Sequence, residues 1–435
     1  MNNTQNKKTI YFNDALEEAK EVIISHFKIK NGTVTIVRDL YGKIRILLKD
    51  TPPDFQIETF CKELSDSLGP YGYPPESLLL YEKDIPFVLD SLDTVFLEKT
   101  KNGTSIYLLD RQINAQDWLK PPFTRTLDTP RVTFFGIKDG VGRSTAMILW
   151  AWMLAKEGKN VLLFDLDLES PGISKLLLPK DFLPDYGLID WFVEDMVGQG
   201  DLIFKRIVAP SPVGKNLQGE ILVAPAFGQK TDPYIPKLSR CFNHKPGNPP
   251  LSWGERLHSL IIKLENEYKP DISLLDSRSG IHDIAAVTII RMNAFSFLFA
   301  IDSSQTWQAY QFLLSYLQNN SNIQNIRQNL QVISSLIPET GRDDYLNRFI
   351  TNAWDVFRET LYDEVEESEL GDFFSFDRND EEAPHWPLPI YWHRALQEFN
   401  PCNDMGYPTF DEKTIEEALG LFHERAKKIV FGYNK

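Results

Sequence analysis

Cysteine is scarce. Cys61, Cys241 and Cys402 are scattered through 435 residues without a CxxC pair, which rules against a disulfide scaffold and gives a zinc or iron–sulfur site no framework. His244, His258, His282, His385, His393 and His423 show neither HExxH nor another metal-ligand spacing. Uninterrupted apolar runs fall well short of the roughly 20 residues that span a bilayer, so stable membrane insertion is not expected. The opening residues, Met1 to Lys8, are polar and lead into Asp14, Glu17 and Glu18, without the apolar centre of a secretory signal. Dense Lys/Arg runs are also missing. A formal net charge of −15 repels phosphate backbones unless basic residues gather on one face, so direct DNA binding is not favoured. What is present, 42% hydrophobic and 25% charged residues, is ordinary for a folded chain. The length accommodates two or three domains, and the cysteine usage fits a reducing cytoplasm.

The texture changes along the chain. Residues 1–120 read as a small α+β unit. Asn13-Asp14 is placed to cap a helix carrying Ala15, Leu16, Ala19, Val22, Ile23 and Phe27 at helical spacing. The β-rich runs Thr33–Val37 and Lys43–Leu48 read as a hairpin, Phe55–Leu68 as a helix, and Thr94–Glu98 with Ser105–Leu109 as a second hairpin around Lys101-Asn102-Gly103. A proline-marked linker covers 121–130. Beyond it, short apolar strands at Val132–Gly136, Asn160–Phe164, Leu222–Pro225, Asp271–Leu275, Phe295–Ile301 and Leu330–Ile337 alternate with helices such as Ser144–Glu157 and Ser304–Gln318. That alternation predicts an α/β fold over 131–435, a mostly parallel sheet with helices on both faces. An acidic insertion at 363–382 carries ten carboxylates. It reads as a solvated loop or as a docking surface for a basic partner.

Chemistry concentrates between Val132 and Thr145. The strand enters a turn, Lys138-Asp139-Gly140-Val141-Gly142-Arg143-Ser144-Thr145, in which Gly140 and Gly142 let backbone N–H groups turn inward toward a polyphosphate. The following helix adds its unpaired N–H groups and positive dipole end, and Ser144 supplies a hydroxyl for Mg²⁺. Two more strands end in acids, Asp165-Leu166-Asp167 and Asp276. Strand ends of open parallel sheets face the ligand crevice, where carboxylates hold a metal's water shell or orient an attacking water. A glycine turn alone or a turn-capping Asp alone is common; three such pieces in this order are not.

Together these motifs resemble the MinD/ParA-type ATPases, a variant P-loop group of the SIMIBI class. That pattern is Lys-Gly-Gly-x-Gly-Lys-[Ser/Thr]-Thr, with an Asp-x-Asp strand end and an Asp-x-x-x-Gly segment similar to Asp276-Ser277-Arg278-Ser279-Gly280. The likeness spans about residues 131–340. It implies ATP and Mg²⁺ held by 138–145, with Ser144, Asp165 and Asp276 on the metal side. It also implies Lys138 reaching the partner's phosphates in an ATP-sandwiched homodimer, and Asp167 positioning the attacking water. Arg143 stands where the group has lysine, and Asp139 where it has glycine. Arginine keeps the charge but is larger and forked; a carboxylate at 139 repels ATP unless it points outward or pairs across a dimer. Glu169-Ser170-Pro171-Gly172 is similar to the group's mobile switch segment, or is an ordinary Pro-Gly turn. Arg278 is read as an arginine finger or as a salt-bridge partner. The group's adenine-binding asparagine has no match, since Ser334 and Ser335 precede Leu336-Ile337-Pro338.

The expectation is an ATP-hydrolysing switch that dimerises around Mg²⁺–ATP and controls a protein partner through its N-terminal unit. The alternative is a nucleotide-sensing scaffold that binds ATP without efficient hydrolysis, which Arg143 and Asp139 favour. A transfer enzyme using the same loop would need a second substrate pocket. DNA segregation, cell positioning and bacterial defence are all compatible pathways. The closing helix, Glu412–Val430, mixes Glu416, Glu417 and Glu424 with its basic residues and reads as packed on the domain rather than on a membrane. The aromatic groups His385-Trp386-Pro387 and Tyr391-Trp392-His393 read as packing or, through their tryptophans, as part of an interface.

Overall fold

Strands with partly exposed residues build the first sheet, and strands buried along nearly their whole length build the second. The computed structural model describes residues 9–27, 32–52, 55–84, 94–111, 116–124, 129–364, 373–397, 399–403 and 408–432. Two units result, Met1–Gln116 and Asp117–Lys435.

In the first unit, β1 (Thr33–Arg38), β2 (Ile44–Leu48), β3 (Leu79–Tyr81), β4 (Thr94–Lys99) and β5 (Ser105–Asp110) form a sheet of order β3-β2-β1-β5-β4. Both expected hairpins, β1–β2 and β4–β5, are antiparallel, while β1 and β5 run parallel at the centre. The helices Phe12–His26 and Ile57–Leu68 lay Ala19, Ile23, Phe60 and Leu64 against Ile36 and Ile46. The first helix starts earlier than its sequence suggests. Tyr11 is the cap residue, and Asp14 acts from the first turn by accepting the Tyr11 N–H at 3.0 Å.

The second unit is an α/β layer structure. Its strands are β6 (Arg131–Gly136), β7 (Val161–Asp165), β8 (Ala209–Pro210), β9 (Ile221–Ala224), β10 (Ile272–Asp276), β11 (Phe295–Ala300), β12 (Leu330–Ile337) and β13 (Leu388–Tyr391). Their order is β13-β12-β11-β6-β10-β7-β9-β8, parallel throughout except for β8 against β9. Every residue of β6, β7 and β10 is buried, because alternate side chains feed two cores. On one face Phe134, Leu163 and Phe297 meet the helices Arg143–Lys156 and Glu412–Phe431; on the other Leu162, Phe164 and Leu275 meet Trp253–Tyr268. The helix Arg143–Lys156 is apolar nearly all round because it lies between the sheet and the last helix, with Trp150 edge-on to Phe422 at 5.8 Å. That last helix buries Ile415, Leu419, Phe422 and Ala426, so its packing on the domain holds. Among the described residues no helix is long and apolar enough to cross a membrane.

The expected boundary after residue 120 shifts. Asp117–Lys120 lie with the second unit: Asp117 pairs with Arg291, and the buried Trp118 carbonyl accepts from Asn320 at 2.9 Å. Part of the expected linker is also ordered there, with Phe123 stacked on His258 at 4.4 Å. Residues 365–372 of the acidic insertion lie outside the described residues. At its flanks Asp363 pairs with Arg327, Glu381 with Arg425 and Glu382 with Lys428, so these carboxylates are matched within the chain.

Candidate functional site

The strand order sets β10 between β6 and β7, so three strand ends open side by side. Asp276 is registered against Phe134 on one side and against Asp165 on the other. Partners in register on parallel strands point to the same face, which brings the two carboxylates together. The Leu166 N–H donates to the Asp276 carbonyl at 3.1 Å and ties these ends.

Above them β6 passes into the glycine loop. Gly140 and Gly142 both have φ +73°, the left-handed conformation that side chains disfavour. At Gly142 a methyl group would also come 3.3 Å from Leu336. The loop's base is braced by Tyr310, whose buried hydroxyl donates to the Phe299 carbonyl at 2.7 Å and accepts from the Ile137 N–H at 3.4 Å. The helix then begins at Arg143, so Ser144 and Thr145 occupy its first turn, where N–H groups lack intrahelical acceptors.

Arg143 does not project into solvent. It is buried, donating from Nε to Asp276 Oδ1 at 2.8 Å and from Nη2 to Asp167 Oδ2 at 3.4 Å. Burial opposes its charge, but Asp276 and Asp167 outweigh that and raise its pKa above the usual arginine value. Ser144 Oγ donates to the other Asp276 oxygen at 3.2 Å. Asp165 is wholly buried; its Oδ2 accepts from the N–H and hydroxyl of Ser174 at 2.8 and 2.5 Å. Its Oδ1 is buried with no hydrogen-bond partner among the described residues. Burial, then the charge of Asp276, pushes the Asp165 carboxyl up to about 7. Burial raises Asp276 and Asp167 as well, with Arg143 pulling against it in both.

The remaining predicted residues sort by position. Lys138 and Asp139 are exposed, Val141 is buried and Thr145 half-buried. The Asp139 carboxylate accepts from the Ser279 hydroxyl. Arg278 pairs with Glu169, and His282 lies 3.6 Å from the same carboxylate; the salt-bridge reading of Arg278 is the one the geometry matches. A cavity of about 530 Å³ runs from Lys138–Ala146 past Asp167 and Leu336 to Tyr391, Trp392, His393 and Leu396. Tyr391-Trp392-His393 therefore line this cavity, not merely packing as their sequence suggests. Leu336 is also outside sequence reach. It takes φ +53° in a bulge where β12 slips against β13.

An oxygen-only set, Ser144 Oγ with Asp165 and Asp276, has the chemistry of a hard divalent cation. The unpartnered Asp165 Oδ1 leaves a lone pair free for such an ion or its water. Among the described residues no three acidic, His or Cys side chains converge to cage a metal alone.

No family model matches the chain, and no curated protein matches it. Solved structures give weak likenesses. A ParA family ATPase from Chlorobium tepidum is 14% identical over 52% of this chain and 80% of that one, with a TM-score of 0.37. Cobyrinic acid a,c-diamide synthase from Mycobacterium smegmatis, with a bound ATP analogue and magnesium, is 16% identical over 50% and 80%, at 0.35. A putative plasmid partition protein from Borrelia burgdorferi bound to AMPPNP is 15% identical over 69% and 100%, at 0.37. Likenesses of this size leave the site itself to carry a functional reading.

Proposed function

We propose that the second unit binds Mg²⁺–ATP in the 530 Å³ cavity and acts as an ATP-hydrolysing switch. One observation carries this: a left-handed double-glycine loop and a helix N-terminus line a cavity of nucleotide size together with Asp167, with Asp276 buried directly beneath Arg143 and Ser144. The loop N–H groups and helix end take the phosphates. Ser144, Asp165 and Asp276 hold the cation, which when bound neutralises charge on the phosphates. The base rests against Leu336, Tyr391 and Trp392, and aromatic stacking replaces the missing asparagine. Lys138, exposed at the loop's rim, is free to reach a second protomer's phosphates in a nucleotide-bridged homodimer. The first unit serves as the contact to a protein partner, and the cytoplasm is the fitting compartment.

A second reading has a specific support. Asp167, the carboxylate proposed to orient water, is engaged by Arg143, which favours a scaffold that binds ATP and turns it over poorly. Phosphate release by the purified full chain, beside Lys138→Ala and Asp167→Ala, separates the two. Loss of turnover in both variants supports the switch; equal rates in all three proteins remove the roles assigned here. Tight binding without release selects the scaffold.

A further inference from the structure

The ion cluster beneath the glycine loop is closed by a cation that belongs to the chain. Asp276 and Asp167 share the forked guanidinium of Arg143, at 2.8 and 3.4 Å. Among the described residues Arg143 is the one cation within salt-bridge distance of either acid. Both oxygens of Asp276 are taken, one by Arg143 Nε and the other by Ser144 Oγ. The guanidinium is itself buried beside the oxygens that a divalent ion would need. Like charges brought together in a poorly solvated site repel strongly, so an incoming ion meets a resident positive charge and an acid with its lone pairs engaged.

We infer that Arg143 is a resident counter-ion that keeps divalent cations out of the acid cluster until a polyphosphate draws the guanidinium away. Planar guanidinium donors match phosphate oxygens as well as carboxylates, and Arg143 sits at the first position of the helix whose N-terminus faces the cavity. Transfer of the side chain to the phosphate uncovers one oxygen of Asp276 and one of Asp167 together. Metal uptake is then conditional on the anion, and the free protein does not hold a metal-loaded site open. The release half rests on the nucleotide reading above; the exclusion half does not.

The test is Mn²⁺ titration of the full chain without nucleotide, by calorimetry or by the free-ion paramagnetic signal. Arg143→Gln removes the charge while keeping a polar side chain, and it should bind Mn²⁺ at least tenfold more tightly than the parent. Its Tm should rise by several degrees at about 100-fold excess of Mn²⁺ over the dissociation constant, while the parent's stays unchanged. Equal Mn²⁺ affinity in parent and variant, or no gain in a folded variant, overturns the exclusion. If Arg143→Gln does not fold in EDTA, the parent with pyrophosphate decides: Mn²⁺ affinity rising tenfold or more supports conditional uptake, and unchanged affinity with pyrophosphate bound refutes it. A gain in Arg143→Gln without any pyrophosphate binding to the parent sinks the nucleotide reading and leaves the counter-ion in place.

Discussion

Asp165 makes the sharpest prediction, because its two oxygens live in different worlds. One is fully used by Ser174; the other is buried, unpartnered, and on the carboxyl that faces Asp276. Burial and the Asp276 charge raise the acid from 3.8 to about 7. Between those values the folded chain holds a proton that the unfolded chain has released. Stability therefore falls as pH rises through about 4 to 7 and flattens above, opposite to a salt-bridged carboxylate. Between pH 5 and 8 about two pH units of that window are crossed, worth ~2–3 kcal/mol at ~1.4 kcal/mol per unit. Asn at 165 keeps an oxygen for Ser174 and never ionises. Urea unfolding of the full chain in EDTA, without nucleotide, should show Asp165→Asn gaining ~2–3 kcal/mol on the parent from pH 5 to pH 8. A parent–variant difference that stays constant across that range refutes the reasoning. Since Asp165 and Asp276 titrate as a pair, Asp276→Asn should flatten the same slope. It also removes the charge that faces the buried Arg143 guanidinium, so its baseline stability should drop.

Other perturbations follow from the loop and the cavity. Gly142→Ala forces a side chain into φ +73° and against Leu336, at ~1–2 kcal/mol for the conformation alone; a lower urea midpoint and loss of ATP binding in calorimetry are expected, and parent-like binding would exclude the loop as the phosphate cradle. Trp392→Ala removes a half-buried ring from the cavity wall; ATP affinity should fall about tenfold or more, the scale of one base–aromatic stack, while pyrophosphate affinity stays put. A parallel loss of both would place the base elsewhere.

Much of the architecture was legible because it depends on period and punctuation. Apolar runs ended by Asp165, Asp276 and Gly136 could hardly be anything but buried parallel strands, and their ends had to share an edge. Several things could not be read, three of them at the site. Pro389 disguises β13 as a non-strand, since proline survives only at a sheet edge, and with it went the placement of Tyr391-Trp392-His393. Leu336 carries no mark of its left-handed backbone, because only the slip between β12 and β13 imposes it. Ser174 as the partner of Asp165 is a meeting of the strand with the short helix Ile173–Leu177, and a hydroxyl nine residues away looks like any other. Side-chain direction, too, is a property of the fold: Arg143 read as a phosphate contact and is turned onto Asp276 and Asp167, and the sequence left Asp139 facing in or out.

Those last two positions are where the chain departs from the pattern it resembles, and both departures reach the same stretch, the end of β10 and the turn after it. Asp139 accepts from Ser279, Arg143 donates to Asp276, Ser144 donates to Asp276, and the Gly280 N–H donates to the Gly136 carbonyl. The glycine loop is thus laced to the end of β10 and the turn after it. A glycine at 139 would give no such tie, and a lysine at 143 would replace the planar fork with a single point of charge. A loop held this way is pre-shaped before any anion arrives, which lowers the ordering cost of binding. The same bonds must partly exchange when phosphate enters, so tighter lacing gives a better-formed but slower-opening site. On the reading proposed above, that trade separates a timed switch from a fast hydrolase, and it places the difference in the two residues that look most out of pattern.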